Sequence, residues 1–483
     1  MNDNNSASTD NGKYRQFLVA VIVNLVSLSS GITWGWPSPV IPKLRLTKPP
    51  VGDAPLSDEK ISWIGGLMAI GGLIIIPFCG TILERIGHKK FAHLTGLPII
   101  TSWLLILFAS NYLYIYSARL LGGMGAAMTL FIVPLYLSEI ATEDVRGILG
   151  SLLLFSVNIG TLFAYIVGAT VSYRLFACLS LLFSLIFVAI FKFMPEAPIY
   201  LVRQNRSLQA HKSLMFIRGN NEALVEQELN KLQSQVEISK NSSKKGNISD
   251  FLKDRATSKG MIISFGLLGG QQLSGIFAML SYAETIFQRA GSSVSSEIAP
   301  IIIGVIQILG SFVSTLLMER AGRRPLTLIS CFGMTISHFL VGLFFYLQQK
   351  QYNVSSISWL PIVALSTYVV TYCLGIGPVP FVVTSEVFRP NVSSSATTVC
   401  YIFYWIISFV SIQSYSVAQR LLGDAGCFFM LAIFCASCFV FTYCILPETM
   451  GRDRQDIINE LAGIDSNCEN KCNESVNLMT RPV

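Results

Sequence analysis

Charge is scarce in this chain. Only 13% of its 483 residues are Asp, Glu, Lys or Arg, against about 25% in an average soluble protein. A soluble core of this length needs a charged shell that the sequence does not supply, and the mean hydropathy of +0.55 points the same way. Histidine is scarcer still. His88, His93, His211 and His338 are scattered and unpaired, which argues against a membrane-embedded enzyme and against a metal centre. No Walker A loop is present, so direct ATP-driven transport is not expected, and no cofactor is implied. The eleven cysteines form no disulfide framework. Most lie in apolar runs, where they read as small buried residues, and Cys468 and Cys472 sit in a polar tail with room for lipidation. The net charge of +7 is spread loop by loop rather than gathered into a patch, so no nucleic-acid partner is expected. The polar, acidic residues 1–13 show no cleavable signal ahead of the first apolar run.

What fills the chain is apolar sequence in lengths suited to a bilayer. A spanning helix needs about 20 apolar residues, and twelve stretches qualify: 14–36, 61–83, 92–109, 113–137, 147–170, 174–194, 259–286, 298–318, 326–347, 358–385, 396–419 and 426–446. With both termini placed inside, the inside segments hold 26 of the 35 basic residues and the outside segments hold 8. That bias predicts cytoplasmic termini. The expected organisation is a tail (1–13), a six-helix bundle (14–194), a cytoplasmic helical linker (195–258), a second six-helix bundle (259–446) and a tail (447–483). In the linker, residues 207–218 and 222–238 read as amphipathic helices whose Leu208, Leu214, Phe216, Leu224, Leu229 and Leu232 pack beneath the membrane bundle. The stretch NSSKKGN (241–247) reads as flexible.

The charges that do occur are duplicated. GTILERIGHKK (80–90), SEIATEDVRG (138–147) and MPEAPIYL (194–201) return in the same order as TLLMERAGRRP (315–325), SEVFRPNVSS (385–394) and LPETMGRD (446–453). Such duplication reads as a carrier built from two halves. Glu139 and Arg146 lie at a helix end facing Arg85, Lys89 and Lys90, and Glu319, Arg320, Arg323, Arg324 and Glu386 form the second copy. Together with Glu196 and Glu448 they are candidates for a cytoplasmic gate, with modest ion pairs across the halves that form and break as the carrier turns. Arg119 falls inside a span, where an unpaired charge is costly, so it is expected to point into the bundle toward a carboxylate.

These blocks resemble those of the sugar porter family of the major facilitator superfamily. PLYLSEIATEDVRG (134–147), ERAGRRP (319–325), QQLSG (271–275), GIGPVP (375–380) and PET (447–449) carry the likeness over nearly the whole chain. GWPSP (35–39) is most similar to the insect facilitated trehalose transporters within it. The resemblance implies an all-α fold of twelve transmembrane helices in two pseudo-symmetric six-helix bundles, with sugar bound between them. It implies Glu139 as the partner of Arg119, and a substrate site with Gln271, Gln272 and Trp405. Gln307 stands where the family usually has Asn. Other positions depart from the pattern: Tyr165 for a Gln, Phe277 for an Asn, Cys373 for an acid, Phe381 for a Trp and Tyr404 for an Asn. In the gate, Ser393 replaces an Arg for which Arg389 is a substitute, and His88 stands where Arg is common.

A proton relay needs a titratable group in the path, but SSGITWGW (29–36) has no acid, and Glu284 lies toward the outer end of its span. Facilitated diffusion of a sugar across the plasma membrane, by a carrier functional as a monomer, is the expectation. A carrier for another solute and a non-transporting nutrient sensor are the alternatives. Asn353 is the one sequon on an expected outside loop, and Asn205, Asn241 and Asn247 fall inside.

Overall fold

A computed structural model describes residues 2–142, 145–219, 221–241, 254–291, 295–389, 392–452 and 454–463. The stretch after Asn241 with Asn247, the tail with Cys468 and Cys472, and the side chain of Glu319 lie outside the described residues. The chain folds as helices α1 (Asn2–Gly35), α2 (Pro37–Leu44), α3 (Asp58–Ile86), α4 (His88–Leu107), α5 (Tyr112–Ile140), α6 (Arg146–Thr170) and α7 (Tyr173–Phe191). Three short helices follow: α8 (Pro198–Arg203), α9 (Ser207–Ile217) and α10 (Glu222–Asn241). Then come α11 (Arg255–Leu273), α12 (Ile276–Ala290), α13 (Ile298–Ala321), α14 (Arg323–Gln349), α15 (Leu360–Leu374), α16 (Val379–Glu386), α17 (Ser393–Ile445) and α18 (Arg454–Ala462).

Among the described residues, eleven helical stretches are long and apolar enough to cross a membrane. The last, Ser395–Ile445, contains non-helical Gly423 (φ 72°, ψ 179°). A 51-residue helix is about 75 Å long, far beyond one bilayer, so this stretch folds back at Gly423 and crosses twice. That makes twelve crossings. Helix starts follow local chemistry. Asn111 Oδ1 accepts the Leu113 N–H at 3.0 Å to begin α5, and Asp254 takes the Thr257 hydroxyl and N–H to begin α11. The Thr257 hydroxyl bond, followed by the backbone bonds and Arg389, outweighs burial and holds the Asp254 carboxyl below the usual range.

Small residues set how closely the helices approach. A Cβ on Gly71 of α3 would strike the Leu120 carbonyl of α5, and one on Gly123 would strike the Met68 carbonyl. Without a hydrophobic drive between helices in lipid, such close packing is the main attraction. In the first half α1 packs on α5, α6 and α7, and α4 on α5 and α7. In the second, α14 packs on α15 and α17, and α11 on α17. The halves meet along three seams: α3 on α17, α6 on α13, and α2 on α12.

The short helices α8–α10 pack on one another through Leu201, Val202, Ala210 and Val236. Arg218 anchors them to the bundle. It grips both carboxylate oxygens of Glu228 and donates to the Ile140 carbonyl at the end of α5. Two residues expected in that apolar face are not in it: Leu208 and Leu224 are exposed. Their turns of α9 and α10 face away from α8, which is short and covers only one side.

Candidate functional site

Two of the spans of the second half are interrupted, and the interruptions build the centre of the molecule. The helix pair α11/α12 breaks at Ser274–Gly275, where Gly275 has φ 86°. That geometry is costly for a residue with a Cβ. The carbonyl freed at Ser274 is satisfied by His338 Nε2 (2.9 Å) and the Tyr368 hydroxyl (3.2 Å), both from other helices. His338, unassigned from sequence, therefore supports a broken helix. The pair α15/α16 breaks over residues 375–378, and Gln271 Nε2 donates to the Gly377 carbonyl there at 2.6 Å. One family-implied glutamine thus ties two breaks together.

Gln272 follows with its Nε2 3.4 Å from Gln271 Oε1. Its own Oε1 is buried with no partner at hydrogen-bonding geometry, although the Tyr404 phenol lies beside it. On the α6/α13 seam, Gln307 Nε2 donates to Asn158 Oδ1 at 2.9 Å, and Asn158 Nδ2 donates to the Ser311 hydroxyl. Gln307 Oε1 is also buried without a partner. Asn158 was not singled out from the sequence. A lone Asn in an apolar span was the signal, and it was available.

The aromatic positions surround these amides. Tyr165 donates its hydroxyl to the Leu280 carbonyl across the halves at 3.2 Å. Phe277 meets Trp34 edge-on at 5.4 Å, again across the halves. Phe381 packs on Tyr401 and Tyr404, and Tyr404 on Trp405. Trp405 is buried against Gly72 of α3, where a Cβ would overlap the indole. Tyr165, Met279, Leu280, Ile303, Leu365 and Tyr368 line a narrow apolar gap of about 10 Å³, no larger than a water molecule needs. At Phe277, Phe381 and Tyr404, three of the departures from the family pattern, the rings thus pack on neighbouring rings.

The charged blocks lie together at one end. Glu196 Oε1 accepts the Lys89 N–H (2.9 Å) and the Ala197 N–H (3.1 Å), capping α4. Glu448 accepts the N–H groups of Arg323 (2.9 Å), Arg324 (3.1 Å), Thr449 (3.0 Å) and Met450 (2.9 Å), capping α14. Partial burial works to raise the Glu448 pKa, but these four donors outweigh it and hold the carboxyl below the ordinary glutamate value. Each capped helix starts at a glycine of near-identical geometry, Gly87 (φ 88°, ψ 168°) and Gly322 (φ 87°, ψ 158°). A Cβ on Gly322 would come within 2.7 Å of Glu448 Oε2.

The ion pairs of these blocks join residues of the same half. Arg323 Nη2 donates to Glu386 at 3.3 Å. His88 Nε2 lies 3.1 Å from Glu139 Oε2, close but not aligned for a hydrogen bond. Arg85, Arg146 and Arg320 are exposed. The polar contacts that bridge the halves lie instead at mid-depth or toward the opposite end: Asn158 to Gln307, Tyr165 to Leu280, Ser62 to Gln413, and the Glu284 N–H to Ser38. The two halves are thus joined at mid-depth and at the end away from the charged blocks.

Two expectations are corrected. Arg119, 2% exposed, does not reach Glu139. They stand 20 residues apart on α5, about 30 Å along the axis. Arg119 donates instead to the Thr33 carbonyl (2.6 Å), the Ile64 carbonyl (3.0 Å) and Met68 Sδ (3.0 Å), with the Trp36 ring 5.8 Å away. It therefore belongs to the end opposite the charged blocks and is not part of them. Arg389 does not stand in for the missing arginine at Ser393, because its Nη2 lies 3.8 Å from Asp254 Oδ1. Arg454 of α18 does, donating to the Ser393 hydroxyl (3.2 Å) and the Phe388 carbonyl (2.8 Å).

The family model described as "Sugar (and other) transporter" matches residues 4–461. The facilitated trehalose transporter Tret1 of Anopheles gambiae is 32% identical over 450 residues, which cover 93% of this chain and 56% of that protein. Tret1 of Polypedilum vanderplanki is 31% identical over 451 residues, covering 93% of this chain and 88% of that protein. The chain thus spans little more than half of the first relative and most of the second. Among solved structures, the partially occluded inward-open xylose transporter XylE from E. coli superposes with a TM-score of 0.75 at 20% identity, over 91% of this chain and 99% of that one. The human organic anion transporter MFSD10 (TETRAN) gives 0.59 at 13%, over 88% and 99%. At these identities the likeness to both structures is one of fold, and the fold is the expected twelve-helix one.

Proposed function

We propose that this chain, which belongs to the sugar (and other) transporter family, is a facilitative sugar carrier of the plasma membrane rather than an enzyme. The observation that carries the reading is the family match over residues 4–461, joined to a central set of buried amides. Trehalose or a hexose is the substrate class, since the Anopheles and Polypedilum relatives are named for trehalose transport. Gln271, Gln272 and Gln307 supply donors and acceptors to sugar hydroxyls, and Trp405, Tyr404, Phe381, Phe277 and Tyr165 supply the ring-facing surface. The two halves, residues 14–194 and 259–446, rock about this site and expose it to either side in turn.

Uniport follows from the same geometry. Arg119 is bound by carbonyls, and Glu284 lies toward the end opposite the charged blocks on the α2/α12 seam, away from the amides. The path at mid-depth thus has no acid among its described residues to carry a proton. The charged blocks, with Arg85, Glu139, Arg146, Glu196, Arg320, Arg323, Arg324, Glu386 and Glu448, form the cytoplasmic gate, and both termini lie on that side. Asn353, exposed after α14 at the other end, is the glycosylation site.

The test is uptake of labelled trehalose, glucose and fructose into oocytes with surface expression confirmed. Saturable uptake of one sugar, unaffected by a protonophore and lowered tenfold or more by Gln271→Ala, is the expected result. Absence of uptake of all three from protein at the surface overturns it. One observation favours a second reading, a carrier for a less polar solute: Phe277, Phe381 and Tyr404 pack on neighbouring rings and leave few polar groups for sugar hydroxyls. The same oocytes, offered such solutes after a negative sugar result, decide it. A mobility shift on deglycosylation, lost in Asn353→Gln, checks the orientation.

A further inference from the structure

The amides on the α11 side of the centre bond among themselves and to the backbone of their own half. The set on the α6/α13 seam differs. There Asn158 of the first half spans to both Gln307 and Ser311 of the second. Asn158 is 12 residues into α6 from Arg146, about 18 Å along the axis, and Gln307 is 9 residues into α13 from Ile298, about 14 Å. The set therefore sits near the middle of the membrane, level with the helix breaks. It is buried, with Asn158 7% and Gln307 5% exposed. It is not saturated, because Gln307 Oε1 has no partner and the Ser311 hydroxyl is spent on the Gln307 carbonyl of its own helix.

A buried amide oxygen without a donor costs about 1–3 kcal/mol. A bond between halves that rock against each other must also be exchanged for something else when they part. A sugar hydroxyl meets both needs. Its O–H can donate to Gln307 Oε1, and its oxygen can accept from Gln307 Nε2 or Asn158 Nδ2 once the Asn158–Gln307 bond opens.

Resting on the reading as a sugar carrier, we propose that Asn158 is a specificity-determining residue, forming with Gln307 a clamp for one hydroxyl or vicinal diol of a pyranose. The sugar displaces the amide–amide bond that joins the empty halves. Asn158 supplies from the first half a polar contact in a centre where Tyr165 and Phe277 offer ring surface. Tyr165 lies about two turns further along the same helix and keeps its hydroxyl on the Leu280 carbonyl, so it leaves that contact to Asn158.

The experiment is a cycle of hydroxyl deletion against side-chain deletion. Equilibrium binding to purified full-length protein is followed by intrinsic tryptophan fluorescence. The ligands are whichever of trehalose, glucose and fructose the wild type takes up, and the monodeoxy analogues of that sugar. One analogue should bind wild type tenfold or more weaker than the parent sugar, yet bind Asn158→Ala nearly as well as the parent does. The same analogue should lose its penalty in Gln307→Ala. Asn158→Ser serves as the second variant should Asn158→Ala not yield folded protein. Equal penalties in wild type and variants, for every analogue, would show a bond between helices and no contact with sugar, and overturn the proposal alone. A wild type that binds and carries no sugar overturns the carrier reading and this proposal with it.

Discussion

The turns at Gly87 and Gly322 perform the same task in the two halves with unequal means. Both place a glycine near φ 88° so that a carboxylate from a later segment can reach the first N–H groups of the next helix. In the first half Glu196 collects two N–H groups, and the side chain beside Glu139 is the imidazole of His88, which is not aligned for a hydrogen bond. In the second, Glu448 collects four, and Arg323 bonds Glu386. The second copy is also tied down by Arg454, which replaces from the tail side the arginine that Ser393 lacks. The lesson is that duplication preserves the geometry of a helix start more strictly than its charges. The capping carboxylate bonds backbone, which every residue has, while the ion pair needs a particular side chain.

The largest effect should come from filling the turns. Gly322→Ala adds a Cβ 2.7 Å from Glu448 Oε2 at a positive φ. Left-handed geometry alone costs about 1–2 kcal/mol, and displacing the carboxylate from its donors adds to it, so a loss of about 3 kcal/mol and little protein at the surface is expected. Gly87→Ala should follow in direction, since its Cβ meets the Tyr200 ring at 2.6 Å and Glu196 Oε2 at 2.8 Å. A wild-type melting temperature for either variant breaks the comparison at its root.

Removing the caps sharpens it. Glu448→Ala strands the donors of α14 and of the turn, and about 1–3 kcal/mol is expected; Glu196→Ala should cost roughly half as much. Thermal unfolding in detergent ranks the two, and the reverse order contradicts the counts of N–H groups. Acid gives a third handle. Because the Glu448 pKa is depressed in the folded protein, its contribution is full above the unfolded value and disappears as pH falls through the folded one. The gap in melting temperature between wild type and Glu448→Gln should therefore narrow as the solution is acidified below the ordinary glutamate range. A gap constant down to low pH means that the carboxylate charge is not what caps α14.

The smallest effect is expected for His88→Arg, which gives the first half the cation of the second. His88 is buried and Glu139 only 16% exposed, where desolvation of the added guanidinium offsets most of what the pair gains, so a melting temperature close to wild type and slower uptake are expected. Faster turnover with a lower melting temperature would mean that His88 is placed for packing on the Tyr200 ring, 6.0 Å away, and not for charge.

Much of the architecture was legible because lipid allows few solutions. A bilayer leaves helices as the only form for long apolar runs of this kind. The twelve runs, the duplicated blocks and the amphipathic pair at Ser207–Ile217 and Glu222–Asn241 could all be read from residue order. Even Gly423, which divides the last two spans inside one continuous helical stretch, falls between runs that hydropathy had separated. The site was legible only as a set of residue types. Gln271, Gln272, Gln307 and Trp405 could be named, but not which of their atoms are bound and which are free.

What residue order determined by itself is therefore the number of crossings, their division into two similar halves and the side on which charge collects, all of which follow from transfer of side chains between water and lipid. Tertiary structure alone decided the partners. Arg119 found carbonyls on two neighbouring helices where a carboxylate was expected, Arg454 came from beyond the last span to serve Ser393, and Asn158 crossed the seam to Gln307. Each bonds a group that any residue carries, or one that is 61 to 149 positions distant, and only the packing of helices brings such groups within hydrogen-bonding distance.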